Sequence, residues 1–309
     1  MRNSIRGYWL VGLGLFGAVV SRAQIVVPII DSGSVGEYAT DGTAVNAALV
    51  TGLNTPFSTV WNNAGDFYVL SQGGNIGEYT SSGAVVNASL IAALSVPTAM
   101  AVAANGDIYV ANNAGTIGVY SSTGAVINAA LISGQSAPRG MVFDSSGNLF
   151  VSSYSTGEVA EYSSSGTLLN SALVSVPGGA YGMAIDSSDH LFVVSPNFRT
   201  VGEYSNNGTV INASLIYVSG GAPFFVAVGP DGNLYVTDQG TSAIEEYSMG
   251  GVVLNSSFIT GVANPGGLSF APVPEPATGV LLSIGAASFV VWQLRRRRAR
   301  APGAGPVAV

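Results

Sequence analysis

Cysteine is absent from the chain, so no disulfide and no thiolate metal site can form. Lysine is absent as well, and all ten cationic side chains are arginines. His190 is the single histidine. Charge is scarce, at 9% of the 309 residues, whereas 41 residues are glycine. A chain of this composition builds its core from many short, apolar, turn-linked segments rather than from charged amphipathic helices. The lack of cysteine does not argue against export, because a large closed β-fold needs no staples.

What positive charge there is lies mostly at the two ends. Arg2, Arg6 and Arg22 stand at the front, and Arg295, Arg296, Arg297, Arg298 and Arg300 at the back. Between Gln24 and Pro276 two arginines, Arg139 and Arg199, stand against all 17 acids, a net charge of −15 with histidine neutral. Such a body is repelled by phosphate backbones, which argues against nucleic acid as a partner.

The ends read as addresses. Arg2 and Arg6 precede an apolar stretch of 13 residues from Tyr8 to Val20, too short to span a bilayer comfortably. Ser21-Arg22-Ala23 then places small residues for cleavage before Gln24, so residues 1–23 are expected to be a signal peptide. At the other end, Ala277 to Leu294 is an uncharged apolar run of 18 residues, a transmembrane helix at the lower limit of length, followed at once by the arginine cluster. The positive-inside rule puts that cluster in the cytoplasm and the body outside.

Val273-Pro274-Glu275-Pro276, the apolar run and the cluster over Arg295 to Arg298 together resemble the PEP-CTERM sorting signal of exported bacterial proteins. The resemblance covers roughly residues 273–300. It implies an exosortase as processing partner, cleavage near Pro274, Glu275 and Pro276, an inner-membrane intermediate, and a Gram-negative-type envelope often rich in exopolysaccharide. The tail Ala301 to Val309 departs from the pattern, since such signals usually stop soon after the basic cluster. The domain expectation is therefore 1–23 signal peptide, 24–271 body, and 272–309 sorting segment.

The body is one unit repeated. Tyr38, Tyr79, Tyr120, Tyr162, Tyr204 and Tyr247 lie 41, 41, 42, 42 and 43 residues apart. Each is followed at fixed offsets by a glycine (Gly42, Gly83, Gly124, Gly166, Gly208, Gly251) and an asparagine (Asn46, Asn87, Asn128, Asn170, Asn212, Asn255). A period in this range marks a propeller blade or a solenoid unit. In the unit around Tyr162, alternation and turn residues predict four strands: Gly140 to Asp144, Asn148 to Ser153, Glu158 to Ser163 and Leu168 to Val174. Asp144-Ser145-Ser146-Gly147 and Ser164-Ser165-Gly166 form the turns.

Counting strands decides between ring and rod. First strands begin near Phe57, Thr98, Gly140, Gly182, Phe224 and Gly266, but no second strand follows Phe270. At the front, Val26 to Ile30 precedes a third strand with no first strand before it. The expected fold is all-β: 24 strands in a six-bladed β-propeller of four-stranded blades, one blade closed by N- and C-terminal strands, plus the single C-terminal transmembrane helix. Closure removes the edges an open array would expose along its length. Pro138-Arg139-Gly140-Met141-Val142-Phe143-Asp144, then Gly147-Asn148-Leu149-Phe150-Val151, resembles NHL-repeat and related six-bladed propellers across about 28–271. That family includes scaffolds, binding proteins and a few lyases and lactonases, so the resemblance speaks to fold rather than function.

Repetition itself argues against a single site. The tyrosines fit a core position between blades, and the asparagines satisfy backbone groups or a bulge in the fourth strand. The sequons at Asn87, Asn207, Asn212 and Asn255 have little force in a bacterial protein. Asp144, Asp186 and Asp231, with Asp66 and Asp107, sit one per blade in turns, whereas a hard cation needs about six converging oxygens. His190 replaces a turn asparagine, and it cannot supply the paired histidines of streptogramin-lyase relatives. The carboxylate and asparagine metal ligands of gluconolactonase-type relatives have no match here. Neither a catalytic residue, a cofactor nor a metal is therefore assigned.

The residues that break the repeat are more informative. Loops entering each first strand, and those joining second to third strands, open on one face of a propeller. Arg139 falls in the former and Arg199 in the latter, with Phe57, Tyr154, Tyr181, Phe198, Phe224, Phe225 and Asp238 at nearby loop positions. Arg139, Tyr154, Tyr181, Phe198, Arg199, Phe224 and Asp238 make a candidate ligand face for a sugar or small anionic group. The expected function is an exported binding or structural module near exopolysaccharide or another envelope protein. The alternative is an extracellular lyase or lactonase on the same scaffold.

Overall fold

The structure, a computed structural model, describes residues 24–272. The expected signal peptide (1–23), the transmembrane helix (277–294) and the sorting residues Pro274, Glu275, Pro276 and Arg295 to Arg298 lie outside the described residues. Among the described residues no helix is long and apolar enough to cross a membrane.

Those residues form six four-stranded antiparallel sheets arranged as the blades of a propeller. Blade 1 takes Gln24–Ile29, Ser34–Ala39 and Ala44–Val50 from the front of the body and Ser269–Phe270 from its end. Blades 2 to 6 follow in chain order, with inner strands Pro56–Trp61, Pro97–Val102, Pro138–Phe143, Met183–Ile185 and Pro223–Val228. The closing strand pairs Ile25 with Phe270 and Val26 with Ser269. It is also stitched to blade 2, where the Thr59 and Ser269 hydroxyls lie 2.8 Å apart and the Thr59 amide donates to the Gly267 carbonyl at 3.0 Å. Both ends of the body thus meet in one sheet.

Local chemistry accounts for the repeat. In blade 4 the Asp144 carboxylate accepts the amides of Ser146 (3.0 Å) and Asn148 (2.7 Å), while Gly147 takes a positive φ of 83°. This is the Asx turn expected from the sequence, and Asp186 repeats it with the amides of Ser188 and His190, both at 2.8 Å. The hydroxyl of Ser163 closes the next turn by accepting the Thr167 amide at 3.1 Å. Each repeat asparagine accepts the amide two residues ahead, as Asn170 does from Ala172 at 3.1 Å. The register between third and fourth strands shifts on both sides of that asparagine, so it caps a β-bulge.

The repeat tyrosines are all buried, and they sit in six apolar clusters, one between each neighbouring pair of blades. Blade 6 and blade 1 share such a cluster, joining Tyr235, Ile244 and Phe258 to Ile25, Val27 and Tyr38. The ring is therefore closed by side chains as well as by backbone. Four of the tyrosines fold their rings back over a glycine two residues earlier (Gly36, Gly77, Gly118, Gly202), where a Cβ would strike the ring. The second strands, such as Phe67–Ser71 and Leu149–Ser153, are buried along their whole length between two blade faces.

Candidate ligand face

The face begins with a backbone clip. Ala137 adopts φ +48°, and its carbonyl accepts the Tyr154 amide at 3.1 Å. This ties the entry of blade 4's inner strand to the turn between its second and third strands. The sequence pattern puts Arg139 in the entry loop. The structure places it inside the strand, as the extra residue of a bulge between the pairs Pro138–Ser153 and Gly140–Ser152. The bulge arises because Pro138 has no amide to continue the ladder.

From that position the Arg139 guanidinium donates to the Pro138 carbonyl at 3.2 Å, and its Cζ lies 5.9 Å from the centroid of the Tyr181 ring. Tyr181 is itself held at both backbone groups. Its amide donates to the Val194 carbonyl (2.9 Å), and its carbonyl accepts the Ser152 hydroxyl (2.5 Å). Its ring meets Phe224 at 4.9 Å, Phe225 at 5.6 Å and Tyr154 at 5.7 Å, all edge to face. Phe225 continues the series to Phe57 at 5.2 Å. Burial pushes the Tyr181 hydroxyl above its ordinary pKa, and the neighbouring Arg139 charge pulls part of the way back.

Tyr154 and Phe198 form the outer wall. Gly178 and Gly179 have φ of +83° and +91°, and the rings of Phe198 and Tyr154 lie where their Cβ atoms would be. A Cβ on Gly179 would stand 2.8 Å from Tyr154 Cδ2, so only glycine permits this approach. The Tyr154 hydroxyl donates to Asn197 Oδ1 at 3.4 Å, linking the two turns. Phe198 is 58% exposed and Tyr154 is 37% exposed. Arg199 follows in the same turn, exposed, at φ +59°, with its carbonyl accepting the Val218 amide at 2.9 Å. Among the described residues ion pairs involve only His190, so neither arginine has a carboxylate partner.

Beneath the aromatic row runs a channel of about 410 Å³ lined by the six inner strands. Its walls are Ala, Val, Leu, Ile, Met, Phe and Gly with a few hydroxyls, and Arg139 is the one charged residue in the lining. No Asp, Glu or His lines it, and the described residues contain no group of three or more such side chains fit to hold a metal ion.

Two other sequence candidates have structural roles. Asp238 is fully buried, and its carboxylate accepts the amides of Ala222 (2.6 Å) and Gly240 (2.8 Å) and the Thr241 hydroxyl (2.7 Å). It staples the turn after its own strand to the loop entering blade 6's inner strand and is not presented to the face. The single histidine does what an asparagine does elsewhere: His190 Nδ1 lies 3.1 Å from Glu203 Oε1, where Asn148 and Asn233 donate to Glu161 (3.1 Å) and Glu246 (2.8 Å). Gly178, Gly179 and Asn197 were not foreseen as parts of the face. The signal for the glycines was present, since Gly-Gly-Ala occurs before Tyr181 and again before Pro223.

Residues 272–298 match the PEP-CTERM protein-sorting motif. No curated protein matches the chain. Among solved structures the chain is similar to one in a nidogen/laminin complex, at 16% identity over 81% of this chain and 99% of that one, with a TM-score of 0.67. It is also similar to virginiamycin B lyase from Staphylococcus aureus, at 19% identity over 78% and 85%, with a TM-score of 0.60. A gluconolactonase from Xanthomonas campestris aligns at 16% identity over 70% and 79%, with a TM-score of 0.59. Likeness at this level establishes the propeller fold. The sorting motif, which is the recognition signal of an exosortase, marks the protein for export and delivery to the cell envelope.

Proposed function

We propose that this envelope-sorted propeller is a binding module whose arginine-aromatic face holds an acidic sugar unit of an extracellular polysaccharide. The observation that carries this is the pairing of the body's two cations, both without carboxylate partners, with the exposed rings of Tyr154 and Phe198. Aromatic rings stack on the C–H faces of sugars, while guanidinium groups fork onto a carboxylate. The body's acidity narrows the ligand. A net charge of −14 repels a long polyanion, so the fit is to one acidic sugar, or to a chain end bearing one.

The channel lining supports binding without catalysis. A lyase or lactonase on this scaffold needs imidazoles or carboxylates converging on the channel, whose lining offers hydroxyls and one arginine. The rest of the expectation belongs to the same proposal: residues 1–23 are removed on export, 277–294 span the inner membrane in an intermediate, and an exosortase then cleaves near Pro274-Glu275-Pro276. Mass spectrometry of the mature protein checks both ends.

The face is tested by calorimetric titration with short oligogalacturonates. Arg139→Gln with Arg199→Gln should weaken binding at least about tenfold, the loss expected for a charge-assisted hydrogen bond. Tyr154→Ala with Phe198→Ala should weaken it for neutral and acidic oligosaccharides alike. Unchanged affinity in the arginine double variant would sink the proposal.

A further inference from the structure

Apart from the β-bulge at its asparagine, the outer edge of every blade lacks the devices that protect exposed edges. The outer strands are Ala44–Val50, Val85–Ile91, Val126–Ile132, Leu168–Ser175, Val210–Tyr217 and Val253–Thr260. None contains a charged residue or a proline. The first five residues of each are exposed. Immediately before the bulge asparagine stand Val45, Val86, Ile127, Leu169, Ile211 and Leu254, each between 47% and 58% exposed. Natural sheets blunt such edges with lysine, proline, inward charge or bulges, because an open apolar strand templates pairing with another chain, and these strands carry the bulge alone. Here the same open edge recurs six times around the rim.

We infer that the rim is a self-association surface, on which outer strands of one copy dock against outer strands of another. Two features of the molecule select a second copy as the occupant. The six edges are near-copies of one another, with the same residue classes at the same register, so any edge of one molecule matches any edge of the next. Antiparallel docking about a two-fold axis sets each of these apolar residues near its own counterpart, which is the self-complementary arrangement that symmetric assembly needs. Charge supplies the second argument. Two bodies of net charge −14 repel through most of their surfaces, and the uncharged rim is where that repulsion is least.

A single edge of seven or eight residues is small against the roughly 800 Å² per partner of a stable complex. Each contact is accordingly weak, and several edges engaged together give avidity. The product is a lateral, concentration-dependent assembly rather than a fixed dimer. Sorting to the envelope raises the local concentration that such an assembly requires.

The 24–272 body is suited to the test, because both closing strands and all six interblade clusters lie within it. Sedimentation velocity over a wide range of concentration should show association of the unaltered body. A variant carrying Val45→Lys, Val86→Lys, Ile127→Lys, Leu169→Lys, Ile211→Lys and Leu254→Lys should remain monomeric with an unchanged circular dichroism spectrum and Tm. These lysines bring the net charge closer to zero, which by itself favours association, so loss of assembly cannot come from added net repulsion. A body that is monomeric at every concentration would overturn the inference. So would a lysine variant that associates as well as the parent, or a monomeric body whose rim binds phosphatidylcholine vesicles instead. The sugar-binding titration is independent of each of these results.

Discussion

Arg139 and Tyr181 face one another across the boundary between blades 4 and 5, with the guanidinium carbon 5.9 Å from the ring centroid. The pair joins the only charge in the channel lining to the centre of an aromatic row. Neither residue belongs to the repeat.

The pair should be visible in a titration. Burial raises the Tyr181 pKa, and Arg139 opposes that rise by favouring the phenolate. Removing the charge by Arg139→Gln should therefore push the Tyr181 pKa higher still. The ring-carbon NMR shift of Tyr181, followed through alkaline pH, checks this. An unchanged or lower value would show that the two groups are not coupled.

The repeat glycines differ from other left-handed glycines in what surrounds them. Gly83 has φ +80°, and a Cβ there would lie 2.5 Å from the Leu49 carbonyl oxygen of the preceding blade. Gly52 has φ +77° with open space around it. Gly52→Ala should cost about 1 kcal/mol, the price of the left-handed conformation alone. Gly83→Ala should cost roughly 3 kcal/mol, because backbone of the preceding blade must also move. Urea unfolding midpoints measure both.

Ring closure rests on a strand of two residues, Ser269–Phe270, and on one large side chain within it. The Phe270 ring packs 4.9 Å from that of Tyr235 in blade 6 and is only partly buried. Phe270→Ala should destabilise the fold by about 2 kcal/mol, less than the loss for a fully buried ring. Amide exchange should rise first in blade 1, at Gln24–Ile29, whose inner neighbour is loosened. Uniform loss of protection would instead show that closure and global folding are one event.

Stability should increase on mild acidification. Burial raises the pKa values of Glu37, Glu78, Glu161 and Glu245, and the buried Asp238 raises that of Glu245 further. Each group therefore binds its proton more tightly in the fold than in the unfolded chain. Their contribution is full below the unfolded value of 4.5 and is lost as pH rises through the folded values. Tm should rise as pH falls from neutral towards that value. Glu245→Gln keeps an acceptor for the Tyr247 hydroxyl and should both raise Tm at neutral pH and flatten its pH profile.

Much of the propeller was legible because its determinants are local and repeated. Asx turns, left-handed glycines and strand alternation act within a few residues, and six copies of the same offsets leave little ambiguity. The single incomplete unit at each end even disclosed which blade is shared. Boundaries were less secure: blade 4's inner strand starts at Pro138 rather than Gly140, because a bulge absorbs Arg139 into the strand.

Which residues meet at the face was a tertiary matter. The sequence by itself determined that Arg139, Arg199 and a set of aromatics break the repeat, and that the C-terminus carries a sorting signal. It could not tell Tyr154 and Tyr181, which reach the face, from Asp238, which turns inward to bind two donors of its own turn and the Ala222 amide of the loop entering blade 6. Nor could it show that Arg139 lies over Tyr181, or that the apolar halves of the six outer strands face outward. These are contacts across blades or choices of which side of a strand is covered, and they depend on closing the ring. Local propensities specify each blade, whereas the neighbours that fill or leave open its faces are supplied by packing.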